Sequence, residues 1–227
     1  MTDRAARILD AAADLVLRWG YKRVTIEEVA KRAGIGKGTV YLHFRSRTWL
    51  FACVLMRESL HLVDDLVAAV ERDATAALIS EQVRLTYLEV QRRPLLRAMF
   101  ARDHEVLGKL ARDADADPVR DWRGELAADL FRLLREHGLM RIDLDVTRQM
   151  HVVGAVQTGF YLHHPGLGSA EDTAAALRHT VHAAVEPADP DRDALASVAP
   201  AVCARYRDFR AAVAAALTDP TPRKGTR

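Results

Sequence analysis

The residues whose types and spacing best suit chemistry form one short segment, from Lys37 to His43. Lys37 can donate to guanine O6 or N7, and the methyl group of Thr39 can contact a thymine methyl. Tyr41 and His43 can bind phosphate oxygens, which positions a protein on DNA without recognising its sequence. Gly38 has no side chain and would allow the backbone to approach a groove. The segment therefore predicts contact with double-stranded DNA.

Basic residues on both sides of this segment suit the same partner. Lys22 and Arg23 precede it, and Arg45 and Arg47 follow it, all four suited to phosphate contacts. Residues 1–48 carry ten Lys and Arg against five Asp and Glu, whereas the rest of the chain carries 23 against 26. DNA binding by the N-terminal region alone requires a basic region of this kind on a slightly acidic remainder.

Two short helices joined by a tight turn would position these residues. Thr25 can cap a helix while Glu28 bonds back to it, and Gly34 suits the left-handed conformation that ends the helix. A further helix spans roughly residues 37–44, and Ser46 can cap a long helix after it. A supporting helix, a tight turn and a second helix that enters the major groove make up a DNA-binding helix-turn-helix.

The remaining segments have helical periodicity, and none alternates convincingly with a period of two. The sequence therefore predicts an all-α protein. We expect a helix-turn-helix domain over residues 1–47 (the head), a larger helical domain over residues 48–218 (the body), and a disordered tail over residues 219–227. The apolar face of the first helix is expected to contain Ile8, Ala12, Leu15, Val16 and Trp19.

The segment from Thr25 to Arg47, TIEEVAKRAGIGKGTVYLHFRSR, closely resembles the head of TetR-family transcriptional regulators. A threonine-capped helix, an Ala-Gly turn, Gly-Thr-hydrophobe-Tyr and His-Phe follow in the family's order and spacing. Gly36 departs from the pattern, because a serine commonly caps the recognition helix there. The resemblance implies a body that binds a small molecule and forms a homodimer. It also implies DNA contacts at Thr25, Lys37, Thr39, Tyr41 and His43.

The segment Val146–His163 is unusually rich in small residues for a helix interior. Glycine within a helix costs about 1 kcal/mol relative to alanine, which close contact with another helix would offset. By resemblance to the family, this helix and the one over residues 170–185 would form a four-helix dimer interface. Close packing within one subunit is the alternative. The interface candidates are Gly154, Ala155, Thr158, Gly159, Leu177 and Val181.

Large or polar groups on otherwise apolar faces are the candidates for a ligand pocket in the body. Gln157 is the most informative of them, because it lies among small residues on a helix that we expect to be buried. An inward amide needs hydrogen-bond partners, and a ligand could supply one. Ordinary core packing is the alternative for every candidate. The pocket candidates are Tyr87, Phe100, Trp122, Phe131, Gln157, Phe160 and Tyr161.

Other chemistries have weak support. His179 and His182 are one helical turn apart and His163-His164 are adjacent, yet no cysteine or carboxylate completes an evident metal-binding set. We therefore expect no metal and no cofactor. The sequence also lacks the nucleophile-elbow and zinc-protease motifs, so we expect no enzyme.

The compartment follows from equally simple features. The two cysteines are far apart and suggest no disulfide framework. No apolar run approaches the about 18–20 residues needed to span a bilayer, and the first residues do not form a signal peptide. We expect a cytoplasmic protein with no membrane partner.

These features favour a homodimeric transcriptional regulator. We expect a repressor that binds a palindromic DNA operator and is released by a small-molecule effector. The main alternative is a DNA-binding protein whose body recruits a protein partner and senses no ligand. A helical enzyme with an incidental helix-turn-helix is a third interpretation, which turnover by the isolated body would be needed to support.

Overall fold

The computed structural model describes residues 2–100, 120–162 and 168–218. Throughout these ranges the chain has helices and no β-strand, which confirms the all-α prediction. Short 3₁₀ turns occur at Tyr21–Arg23 and Ala74–Ala77. The α-helices are α1 (Asp3–Trp19), α2 (Ile26–Ala33), α3 (Lys37–His43), α4 (Arg47–Arg72), α5 (Ile79–Arg92), α6 (Pro94–Phe100), α7 (Arg120–Glu136), α8 (Val146–Leu162), α9 (Ala170–Val185) and α10 (Arg192–Thr218).

Helices α1, α2 and α3 form the head around one apolar cluster. Ile8, Val29 and Val40, one from each helix, are fully buried. Trp19, which we expected on the apolar face of this helix, is 43% exposed and does not share the burial of Ile8, Ala12, Leu15 and Val16. Trp19 is the last residue of α1, and the chain leaves the helix at Gly20 with a φ of 72°. The apolar period of α1 therefore ends one turn before the helix does.

Helix α4 connects the head to the body. Ser46 caps it, because its side-chain oxygen accepts the Trp49 N–H at 3.0 Å. Residues 49–54 are all buried, so this part of α4 is enclosed by the head and the body together. The expected domain boundary at residue 47 falls on the first residue of this continuous helix. The boundary stays a prediction, and the tail over residues 219–227 lies outside the described residues.

The helices of the body pack on one continuous core. Helix α10 packs along α4, and α9 packs along α5. Helix α7 contacts α8 and α10, while α8 contacts α9 and α6. The short α6 also contacts α1 and α4, so it touches both the head and the connecting helix. The body therefore reaches the head through α4 and α6.

Two buried polar contacts fix the helices of the body relative to one another. Glu186, directly after α9, accepts hydrogen bonds from the Ser80 backbone N–H and hydroxyl, both at 2.7 Å. The Tyr206 hydroxyl donates to Gln82 Oε1 at 2.5 Å. Burial raises the pKa of Tyr206, so its hydroxyl stays protonated. Buried polar groups destabilise a fold unless they are hydrogen-bonded, and these four satisfy one another.

Candidate nucleic-acid interface

Local hydrogen bonds cap helix α2 at both of its ends. The Glu28 N–H donates to Thr25 Oγ1 at 3.3 Å, and the Thr25 N–H donates to Glu28 Oε2 at 2.7 Å. Gly34 adopts the left-handed conformation at φ 69° and ends α2. The Ile35 N–H then donates to the Ala30 carbonyl at 3.0 Å. These contacts confirm the capping box and fix the direction in which α3 leaves the turn.

Helix α3 presents one face to the head and the other to solvent. Val40 and Phe44 are buried and anchor the helix. Tyr41 is 46% exposed and Leu42 is 84% exposed on the outer side. Gly36 occupies the N-cap and makes no side-chain hydrogen bond, as the departure from the family pattern implies. A short helix with an exposed polar face and an anchored apolar face has the geometry of a recognition helix.

The expected DNA-contacting residues lie on or beside this exposed face. Most are exposed, whereas Thr39, His43 and Arg47 are half-buried. The Thr25 hydroxyl also donates to Glu28 Oε2 at 3.0 Å, so it already has a partner within the capping box. The exposed members are Lys22, Arg23, Thr25, Lys37, Gly38, Tyr41 and Arg45.

Arg47 makes contacts within the head that the sequence does not predict. Its Nε–H donates to the Val24 carbonyl at 2.8 Å, and its terminal nitrogen donates to the Tyr21 carbonyl. Its guanidinium lies 3.8 Å from the centroid of the Tyr21 ring. The side chain therefore fastens the loop before α2 to the start of α4, and its role in phosphate contact stays a prediction. Three contacts to residues more than twenty positions away are not visible in a sequence pattern.

Glu27 and Leu42 belong to the exposed surface but are absent from the expected set. Glu27 forms an ion pair with Lys37, across the turn between α2 and α3. Their hydrogen bond lowers the pKa of the Glu27 carboxyl and raises the pKa of the Lys37 ammonium. Leu42 immediately follows Tyr41 and is the most exposed large apolar residue in the described chain. An apolar residue between two polar members of a recognition helix is the signal that sequence reasoning could have used for Leu42.

The contact between the head and α4 contains aromatic and charged groups. The Arg45 guanidinium lies 4.4 Å from the centroid of the Trp49 ring, and Trp49 is 7% exposed. Arg57 on α4 donates to Asp10 on α1 at 2.7 Å. The Nε of Arg57 is buried and has no hydrogen-bond partner among the described residues. The first part of α4 therefore contacts the head at two separate points, through Trp49 and through Arg57.

Three of the pocket candidates come together in the body. The Tyr161 ring lies 5.3 Å from the Tyr87 ring and 4.9 Å from the Phe100 ring, measured between centroids. The Tyr161 hydroxyl is buried and has no partner within the part of the chain that the structure describes. Desolvation raises the pKa of this hydroxyl, which keeps it protonated. Of the other candidates, Phe131 is buried, while Trp122 and Phe160 are half-buried against the core.

The expectation that Gln157 is the buried amide of α8 is wrong. Gln157 is half-buried, whereas Gln149 on the same helix is fully buried. Gln149 Nε2 donates to the Arg141 carbonyl at 2.7 Å, and its Oε1 accepts from Arg135 at 3.3 Å. The buried glutamine is thus satisfied by its own chain and fixes the loop between α7 and α8.

The interface candidates divide into two groups. Gly154, Ala155 and Gly159 are exposed, and a Cβ atom built on either glycine meets no neighbouring atom within 4 Å. Close packing of these glycines within one subunit is therefore not found among the described residues. Thr158 is half-buried, and its hydroxyl donates to the Gly154 carbonyl at 2.8 Å.

The second group of interface candidates is corrected by the structure. Leu177 and Val181 on α9 are fully buried. They form part of the subunit's own core, on the helix that packs along α5. Residues with no exposed surface cannot contact a partner subunit. The exposed positions of α9 are instead Glu171, Asp172, Ala175, Arg178, His179, Thr180 and Ala183.

Within residues 2–100, 120–162 and 168–218, no group of three or more metal-ligating side chains occurs. His179 is exposed, and His182 Nδ1 lies 2.9 Å from Glu186 Oε2. His163 and His164 lie outside the described residues. Among the described helices, none is both long and apolar enough to cross a bilayer.

Comparison with known proteins agrees with the geometry of the head. The family model described as "Bacterial regulatory proteins, tetR family" matches residues 8–54. The transcriptional repressor KstR of Mycolicibacterium smegmatis is 31% identical over 135 residues, covering 57% of this chain and 61% of that protein. The transcriptional activator FasR of the same organism is 36% identical over 70 residues, covering 31% of this chain and 30% of that protein. The chain therefore spans less than two thirds of the length of these relatives, which are transcriptional regulators and not enzymes.

Solved structures share the architecture over most of the chain. FadR, a fatty acid degradation regulator from Bacillus halodurans, has a TM-score of 0.61 at 14% identity, covering 78% of this chain and 96% of that one. SmeT in complex with triclosan has a TM-score of 0.61 at 18% identity, covering 83% and 96%. Identities this low show the fold alone. The chain is therefore similar to the TetR family of bacterial regulatory proteins: residues 8–54 match the family model, and the fold is shared over most of the chain.

Proposed function

We propose that the protein is a homodimeric transcriptional repressor that binds a palindromic DNA operator and is released by a small-molecule effector. The observation that carries the proposal is the anchored recognition helix. Val40 and Phe44 fix α3 on the head, while Lys37, Gly38 and Tyr41 remain exposed for a major groove. A repressor among the relatives supports the sign of regulation, although FasR is an activator. The protein would act in the bacterial cytoplasm, where the operator is.

A dimer would give the DNA contacts their symmetry. Two heads related by a two-fold axis can bind half-sites about one helical turn apart, roughly 34 Å. The exposed small residues Gly154, Ala155 and Gly159 on α8 support an interface on this side of the body. The exposed positions of α9 would complete it in place of Leu177 and Val181. Small side chains permit close approach of the two copies of α8.

The effector would bind beside Tyr161. Its buried hydroxyl lacks a partner among the described residues, while its ring contacts Tyr87 and Phe100. A ligand with an aromatic or apolar portion and one hydrogen-bonding group would match both features. SmeT, which shares the fold, has a solved structure in complex with triclosan. A buried hydroxyl with no partner in the described part of the chain favours this function over a body that only recruits a protein.

Release from DNA would follow from a shift in population between two arrangements of the body. Phe100 ends α6, and α6 contacts α8, α4 and α1. A ligand beside Tyr161 and Phe100 would therefore act on the helix that also touches the head. The ligand shifts the population only to the extent that it binds one arrangement of the body more tightly than the other. About 100-fold preference corresponds to roughly 2.7 kcal/mol of coupling between the two sites.

The test is selection of genomic DNA fragments by the purified full-length chain, followed by affinity measurements at several salt concentrations. We expect a palindrome that binds two copies of the chain. The logarithm of its binding constant should fall linearly with the logarithm of salt concentration, because phosphate contacts release counterions. Weak binding without sequence preference, or binding of one copy per operator, would contradict the proposal.

The effector is tested separately on the operator complex. Triclosan and related substituted phenols are titrated into a complex of the protein with a fluorescent operator duplex. Release of the duplex by one of these compounds, and weaker release from Tyr161→Phe, would support the site. Equal release from both proteins would place the effector elsewhere.

A further inference from the structure

Two neighbouring glutamates on α2 have different partners. Glu28 belongs to the capping box, where its carboxylate accepts hydrogen bonds from Thr25. Glu27 is not part of that box, and its carboxylate pairs with the Lys37 ammonium. The Glu27 side chain is 59% exposed and the Lys37 side chain 52%. A carboxylate therefore lies beside the first residue of the recognition helix, on the surface that would face DNA.

We propose that Glu27 recognises the operator together with Lys37, by accepting a hydrogen bond from the amino group of a cytosine while Lys37 donates to guanine. The inference rests on the proposed function. Cytosine N4 is a donor and guanine O6 and N7 are acceptors in the major groove, and the two bases of one G·C pair present them side by side. An adjacent carboxylate and ammonium carry the complementary arrangement. The pair would recognise a G·C base pair in one orientation.

The charge of Glu27 makes this role different from that of the basic residues around it. A carboxylate near DNA is repelled by phosphates and by the acceptor atoms of guanine and thymine. It is favourable only where the base offers an amino hydrogen. Glu27 would therefore act largely by rejecting wrong bases, which is a common source of specificity. The hydrogen bond between Glu27 and Lys37 also fixes the Lys37 ammonium, whose three donors leave capacity for guanine.

The pair adds specificity without adding net charge. Its hydrogen bond lowers the pKa of Glu27 and raises the pKa of Lys37, so both groups stay charged near neutral pH. A phosphate contact by a free lysine would add about 0.9 to the slope of log affinity against log salt. Lys37 paired with Glu27 should add less. Base preference and salt dependence therefore report on different properties of the same residue pair.

The experiment compares full-length wild-type protein, Glu27→Gln and the control Glu71→Gln on the selected operator and on its single-base variants. Glu71 pairs with Arg207 at the far end of α4, so its replacement removes the same charge far from the head. Thermal unfolding establishes that each variant is folded. Glutamine at position 27 keeps the shape of the side chain, but its amide can also donate to the wrong bases.

For wild type and Glu71→Gln, we expect replacement of the recognised G·C pair to lower affinity by about 5- to 150-fold, the range of one good base contact. In Glu27→Gln, the loss at that pair should shrink to less than about threefold, and binding to random DNA should become tighter because a repelling charge is gone. An unchanged base-preference profile with uniformly tighter binding would overturn the inference. Absence of any preferred sequence for the wild type would instead overturn the proposed function, and this inference with it.

Discussion

Replacing Tyr161 with phenylalanine should stabilise the ligand-free protein, although it removes a polar group. The hydroxyl is buried and has no hydrogen-bond partner among the described residues. The ring contacts to Tyr87 and Phe100, at 5.3 and 4.9 Å between centroids, do not depend on that hydroxyl. Phenylalanine therefore keeps the packing and removes only the desolvated group.

The size of the effect follows from the desolvation of the hydroxyl. A buried polar group without a partner costs about 1–3 kcal/mol. We take the lower end for Tyr161→Phe, because the residue as a whole is only half-buried. The free energy of unfolding should rise by about 1 kcal/mol. For a chain of this length, such a change raises Tm by about 2–4 °C.

The matched control is Tyr206→Phe, which should have the opposite sign. The Tyr206 hydroxyl donates to Gln82 Oε1 at 2.5 Å, so its removal leaves a buried acceptor without a partner. We expect a loss of about 1–3 kcal/mol there. Both variants are measured by thermal and urea unfolding without ligand. A lower Tm for Tyr161→Phe would refute the reasoning, because it would mean that the hydroxyl is hydrogen-bonded in the folded protein.

Three further substitutions test the head, the interface and the core. Tyr41→Ala should abolish operator binding while sedimentation still gives a dimer; unchanged affinity, or loss of the dimer, would contradict the role of Tyr41 on the exposed face. Gly154→Leu should weaken the dimer by placing a large side chain on the exposed face of α8, whereas Gly124→Leu, at an equally open glycine of α7, should not. Equal dimerisation of both glycine variants would count against this interface. Leu177→Ala should lower the free energy of unfolding by about 2–5 kcal/mol through loss of a fully buried side chain, and a purely dimer-specific loss would contradict its burial.

Features that depend on residues three or four positions apart could be predicted from the sequence. The capping box of Thr25 and Glu28 and the left-handed Gly34 are of this kind, and with them the position of the recognition helix. Their geometry is local, so a single segment contains all the information. The all-α class follows for the same reason, because helical periodicity is also local.

Features that depend on contacts between distant segments could not be predicted. Leu177 and Val181 share a helical face, but the sequence does not say whether that face meets α5 or a second subunit. Arg47 binds carbonyls more than twenty residues earlier, and Glu27 meets Lys37 across a turn. Long charged side chains can reach many partners, so only the fold selects among them. The error over Gln149 and Gln157 has the same origin, since both lie on α8 and only the packing of its neighbours separates them.

The contacts of Arg47 have a consequence for the proposed release from DNA. Arg47, the first residue of α4, donates to the Tyr21 and Val24 carbonyls. Phe51 on the same helix contacts the Tyr21 ring, with the two ring centroids 5.1 Å apart. Farther along, Arg57 bonds to Asp10 on α1. Because these contacts are spread along α4, the head is held at several separated points and would move with the helix without changing its own shape. In the proposed dimer, a tilt of α4 would therefore move each head as a rigid unit. The distance between the two heads would change, while the contacts of each head with its own half-site would be kept.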